Sequence, residues 1–264
     1  MSGASGGDQW REMAERGTIL MTPSGSALYG LSLPGNSDTD QVGICIESPE
    51  GMLGFSPFEQ YIFRTAAVRE KRQDAPSQPG DTDRVIYGLR KFLRLAMQGN
   101  PQILQCFFIP GEMCLSRNVQ GEELQSWAPL VISRQAGRRY LGYMEGQRQR
   151  LMGERGQKKV NRPELEEAHG YDTKYAMHIL RLGFQGCELL QTGRLSFPME
   201  EKDRAFCYAV RSGEVPMQEA LTKAGELEQD IKDLIDCGPL YEHPAEAALE
   251  ALMIEMYQDD WRQM

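Results

Sequence analysis

The 264-residue chain is poor in the residues that build metal-thiolate sites or disulfide frameworks: three histidines and six cysteines, with no C-x-x-C pair. That spacing argues against a zinc site and against a secreted disulfide scaffold, and reads as reduced, mostly buried thiols. Long apolar runs are missing too, and none approaches the roughly eighteen residues that a membrane span needs. The opening MSGASGGDQWREMAERG has neither the basic start nor the apolar core of a secretory leader, so a cytoplasmic protein with no membrane partner is expected. Positive charge is scarce, with 29 Lys and Arg against 38 Asp and Glu and a net charge of −9. This excludes a surface coated in non-specific phosphate contacts, because each contact needs a cation. A local basic groove is still possible. Between Arg134 and Arg162, nine basic residues (Arg134, Arg138, Arg139, Arg148, Arg150, Arg155, Lys158, Lys159, Arg162) meet two acidic ones, Glu145 and Glu154.

What is present is ordinary globular material: 41% hydrophobic and 25% charged residues, in a chain long enough to bury a core. Periodicity predicts a short helix over 8–16, strands over Thr18–Thr22, Gln41–Glu47 and Gln60–Arg64, and a polar loop over 69–82. A few strand-like residues follow Asp83. The run YGLRKFLRLAMQGNP then places Leu89, Phe92, Leu93 and Ala96 at helical spacing, and Gly99-Asn100-Pro101 supplies the stop. Beyond about residue 119 nearly everything reads as helix, near 120–130, 134–153, 170–192, 199–211, 216–236 and 244–262. The expected fold class is α+β, a small mixed α/β unit over 1–118 and a helical domain over 119–264.

Chemistry concentrates in PSGSALYGLSLPGNSDTDQVGICIE, Pro23 to Glu47. Asp38 and Asp40 stand at i and i+2, so on a strand they share a face and could converge on one hard cation. Gly25 permits close backbone approach, and Ser26 offers a hydroxyl and amide hydrogens to phosphate oxygens. Each element alone is common turn and cap chemistry; their order along the chain points to a metal and phosphate site. Farther on, Lys174, His178 and Arg181 lie at i, i+4 and i+7 and share one helix face, either a solvated stripe beside Asp172 and Glu188 or a polar wall for an anion. His169 and His243 read as structural.

GSALYGLSLPGNSDTD resembles the signature of a family of predicted nucleotidyltransferases within the DNA polymerase beta superfamily, some of whose members are linked to bacterial RNA-repair operons. Two further stretches, LRKFLRLAMQGNP (Leu89–Pro101) and GYDTKYAMHILRL (Gly170–Leu182), are similar to motifs of the same family and occur in the same order. The resemblance runs from about Thr18 to about residue 235. It implies a polymerase-beta-like catalytic domain followed by a helical bundle. It also implies transfer of a nucleoside monophosphate from a nucleoside triphosphate to a hydroxyl, assisted by Mg²⁺ or Mn²⁺. Asp38 and Asp40 would then be metal ligands, with a third carboxylate from a later strand; Asp83 is the preferred match and Asp81 the alternative. Gly25, Ser26, Lys174, His178 and Arg181 would hold the nucleotide. Ala27 and Gln98 stand where relatives carry a cation, so charge must come from elsewhere. An RNA or DNA 3′ end along segment 134–162 is the first-ranked acceptor, ahead of a small molecule or a protein. The competing expectation is a non-catalytic nucleotide-sensing module on a degenerate copy of the fold. No pattern speaks to base preference or oligomeric state.

Overall fold

The computed structural model describes residues 5–32, 39–70, 80–154 and 162–264. Helix α1 (Ser5–Arg16) leads into strand β1 (Thr18–Ser24), and a single helical turn, α2 (Ser26–Tyr29), follows. Then come β2 (Thr39–Cys45), β3 (Gln60–Arg64), β4 (Thr82–Gly88) and α3 (Leu89–Met97). A two-residue edge strand, β5 (Ser116–Arg117), precedes α4 (Val119–Ser126), α5 (Gln135–Leu151), α6 (Thr173–Thr192), α7 (Glu201–Ser212), α8 (Met217–Cys237) and α9 (Glu246–Trp261). Short helices at Thr65–Glu70 and Pro163–His169 fall outside the segments expected to be helical.

The five strands form one mixed sheet in the order β3-β4-β2-β1-β5; β2 and β4 run parallel, and the other neighbours antiparallel. Side chains alternate across a strand, so each face has its own cover. Met21, Cys45 and Ile86 point to one side and pack with Ala14 of α1 and Phe58. Leu20 and Ile44 point to the other, joining Phe92, Leu93, Tyr140 and the apolar faces of α5, α6 and α8 in the main core. The architecture is therefore α+β, a mixed sheet with flanking helices followed by a helical region. The helical region does not stand apart from the sheet: α4 packs on β1, and α9 returns to α3.

One buried group explains that return. The Glu47 carboxylate, just beyond β2, is 1% exposed and accepts from the Leu89 amide at 2.9 Å and the Tyr257 hydroxyl at 2.6 Å. Trp261 Nε1 donates to the Glu47 carbonyl at 2.8 Å. A carboxylate at the first residue of α3 meets amides that have no partner within their own helix, and α9 supplies the remaining donors. Burial pushes the Glu47 carboxyl above its ordinary range, with the Tyr257, Leu89 and Arg90 interactions opposing.

Candidate active site

Register decides which side chains meet. Ser24 pairs with Asp40 across β1/β2, Asp40 with Asp83 across β2/β4, and Arg64 with Asp83 across β3/β4. Directly paired residues on neighbouring strands project to the same face. Ser24, Asp40, Asp83 and Arg64 therefore form one row across four strands. By alternation the row shares its face with Leu20, Ile44 and Tyr87, the face covered by the helical region. It lies where β1 ends and where β2 and β4 begin.

Asp40 is exposed, whereas Asp83 is partly covered and receives Arg64 Nε at 3.2 Å. Asp81, the alternative third carboxylate, lies just outside β4, is 4% exposed and is held by Arg69 Nη1 at 2.6 Å. Asp38 lies outside the described residues. Among the described residues no group of three His, Cys, Asp or Glu side chains gathers as a metal cluster. The Asp40 and Asp83 donor set nevertheless suits a hard divalent ion: two carboxylates in register on one face, with space kept open above the first.

Gly25 keeps that space. Its φ is +80°, a conformation costly for any side chain, and a Cβ there would stand 2.7 Å from Asp40 Oδ2. The β1–α2 turn thus carries a glycine for two independent reasons, backbone shape and close approach to a carboxylate. Ser26 opens α2, with its Oγ 3.2 Å from Ser32 Oγ. Tyr29, at the end of the same turn, is buried and donates to Gln105 Oε1 at 2.6 Å; Gln105 Nε2 in turn donates to Ser24 Oγ at 3.3 Å. The turn is fixed to the carboxylate row through that relay. Burial raises the Tyr29 phenol, which Arg181 opposes and the charge of Asp40 reinforces.

Across from α2 lies α6. Its N-cap, Asp172, accepts from the Lys174 and Tyr175 amides at 3.0 and 3.2 Å and pairs with Arg162 at 2.6 Å. Of the Lys174, His178 and Arg181 stripe, Arg181 is 9% exposed, stacks 4.3 Å over the Tyr29 ring and donates to Gln185 Oε1 at 2.6 Å. His178 is held well below the ordinary imidazole range, first by burial and then by Arg181, Lys174, Arg162 and Arg211. Four cations, one of them paired with Asp172, surround this imidazole. Arg162, Arg211 and Gln105 carry no periodic signal, and only their long-range partners reveal them.

The model of the RNA repair pathway DNA polymerase beta family matches residues 8–237. The chain belongs to that family. The match spans the sheet, the carboxylate row, α6 and α8, leaving α9 and the last residues outside it. No curated protein matches the chain. Among the described residues no helix is long and apolar enough to cross a membrane.

Proposed function

We propose that the protein is a metal-dependent nucleotidyltransferase that moves a nucleoside monophosphate from a nucleoside triphosphate to a hydroxyl, foremost a nucleic-acid 3′ end. The observation that carries this reading is the in-register Asp40–Asp83 pair beneath the open Gly25 turn. Family membership supports the reaction class.

In this reading Asp40 and Asp83, with Asp38, hold Mg²⁺ or Mn²⁺, which when bound neutralises charge at the α-phosphate and on the leaving pyrophosphate. Gly25 and Ser26 receive the β- and γ-phosphates through backbone amides and the Ser26 hydroxyl. Lys174 adds positive charge from the α6 side and Arg181 does so from its place over Tyr29, while His178, neutral among these cations, offers a hydrogen bond and no charge. Asp83, oriented by Arg64, accepts the proton of the attacking hydroxyl. The acceptor oxygen forms its bond to the α-phosphorus as the bond to the bridging oxygen breaks, and pyrophosphate departs. No covalent enzyme intermediate is needed; positioning and charge neutralisation carry the catalysis.

The test is incubation with each α-labelled nucleoside triphosphate, Mg²⁺ or Mn²⁺, and a mixed pool of RNA and DNA, alongside Asp40→Asn. Label transferred to a polynucleotide by the native protein and not by the variant supports the proposal. Equal transfer by both, or no nucleotide consumption at all, refutes it.

A further inference from the structure

The nine cations of segment 134–162 are not equivalent once folded. Arg134 Nη1 donates to the Ile235 and Asp236 carbonyls at 3.1 and 2.8 Å. Arg148 pairs with Glu228, Arg150 turns to the Gly146 carbonyl, and Arg162 is bound to Asp172. Arg155, Lys158 and Lys159 lie outside the described residues. Arg138 and Arg139 remain: adjacent on α5, exposed, and with no ion pair to any acid among the described residues. In a chain with nine more acids than bases, two neighbouring guanidiniums left to solvent are conspicuous.

They open onto a groove of about 450 Å³ lined by Gln98, Gln135, Arg138, Arg139 and His243. The groove is assembled from three separate parts of the chain. Gly99, at φ +75°, lets the end of α3 come so close to α5 that a Cβ there would stand 2.6 Å from Ala136 Cα, and this brings Gln98 to the first turns of α5. The segment before α9 is stitched to the start of α5 by the Arg134 amide on the Tyr241 carbonyl (2.8 Å) and the Gln135 amide on the Glu242 carbonyl (3.3 Å). His243 Nδ1 then stands 3.4 Å from Gln135 Oε1, with the Glu242 carboxylate 3.8 Å from Nε2.

We infer that this groove is a backbone-phosphate site for a single-stranded RNA acceptor, with Arg138 and Arg139 as the phosphate ligands. The inference rests on the nucleotidyltransferase reading above. The Gln98 and Gln135 amides suit the 2′-hydroxyls and phosphate oxygens of such a strand. Among the lining residues there is no Trp, Tyr or Phe, so charge and amide donors dominate the groove and backbone contacts are expected to outweigh base stacking. The groove also borders the catalytic elements. Arg139 adjoins Tyr140, which is fully buried and feels the charges of Arg181 and Tyr29. Gln98 lies seven positions before Gln105, the residue hydrogen-bonded to Ser24 of the carboxylate row.

The experiment is fluorescence anisotropy of a labelled single-stranded RNA oligonucleotide over a salt series. It compares the native protein, Arg138→Glu/Arg139→Glu, and Lys223→Glu/Lys232→Glu on α8, which changes net charge equally. Because two phosphate-binding cations are removed, the slope of log affinity against log salt becomes shallower by about 1.4 in the arginine variant and stays native in the α8 variant. Oligonucleotides of different base composition bind the native protein alike. No RNA binding by the native protein at low salt, or an arginine-variant slope equal to that of the α8 variant, overturns the inference. Tighter binding of single-stranded DNA than of RNA overturns the choice of RNA. Thermal stabilisation by nucleoside triphosphate with Mg²⁺ is measured on the same variants: retention in the arginine variant supports an acceptor site, and loss reassigns the groove to the nucleotide. The label-transfer result for Asp40→Asn judges the parent reading separately, since RNA binding is scored without turnover.

Discussion

The two ends of β2 carry acidic residues with opposite fates. Asp40, near the start, lies exposed in a row with Asp83, under a turn whose glycine keeps space above its carboxylate. Glu47, just past the end, is buried and takes donors from Leu89 and Tyr257. The same functional group serves two purposes according to what the fold supplies. Where the protein surrounds the carboxyl with its own donors, it joins elements together; where it aligns two carboxylates on one row, it builds the group that the proposed function assigns to a cation.

Substitutions break this comparison in graded steps. Asp40→Asn and Asp83→Asn lower kcat/KM by about 10²–10³-fold or more, as loss of a charge-stabilising group does, with little change in Tm. Steady-state assays alongside thermal melts check this, and a matching fall in Tm would make the row structural. At the other end, Glu47→Ala strands the Leu89 amide and the Tyr257 hydroxyl and destabilises by about 2–4 kcal/mol, roughly 5–10 °C in Tm. Glu47→Gln keeps an acceptor and costs less. Because burial raises the Glu47 carboxyl above its unfolded value, its contribution is fully present at low pH and fades as pH rises through the folded value. Glu47→Gln should therefore flatten the high-pH side of that profile.

The glycine between these fates gives a sharper probe. Gly25→Ala forces a side chain into a left-handed conformation and towards Asp40 Oδ2, costing about 1–3 kcal/mol of stability. Activity should fall further than stability predicts, by about 10–100-fold, because displacing the carboxylate that the proposed function places on the metal misplaces the reaction. The smallest expected effect is at His178. Its imidazole is held well below the unfolded value of about 6.5, so the unfolded chain takes up a proton that the fold refuses; stability is intact above that pH and is lost as pH falls below it. Thermal melts between pH 7 and 5 should show a decline for the native protein that His178→Gln reduces.

Much of this was readable from residue order. Gln60–Arg64 is a strand with the expected ends, and the Gly99-Asn100-Pro101 stop follows α3. These depend on local rules: alternation, capping and turn chemistry. That Asp83, the preferred third carboxylate, stands in register with Asp40 depends on the pairing of β2 with β4, two strands separated by the whole of β3, which no local pattern encodes. Arg181 shares a helix face with Lys174 and His178, yet it is buried over Tyr29, because packing between α2 and α6 decides which part of a stripe meets solvent. The Pro163–His169 helix and β5 escaped because one has only 7 residues and the other only 2, too few for a period to show.

Thermal stabilisation by nucleotide tests the central claim most directly. Native protein, Asp40→Asn and Asp83→Asn are melted with nucleoside triphosphate, with Mg²⁺, and with both together. The account predicts that for the native protein the pair stabilises by more than the sum of its parts, and that either substitution removes the excess. Additive shifts in the native protein, or an excess that survives in both variants, would contradict it.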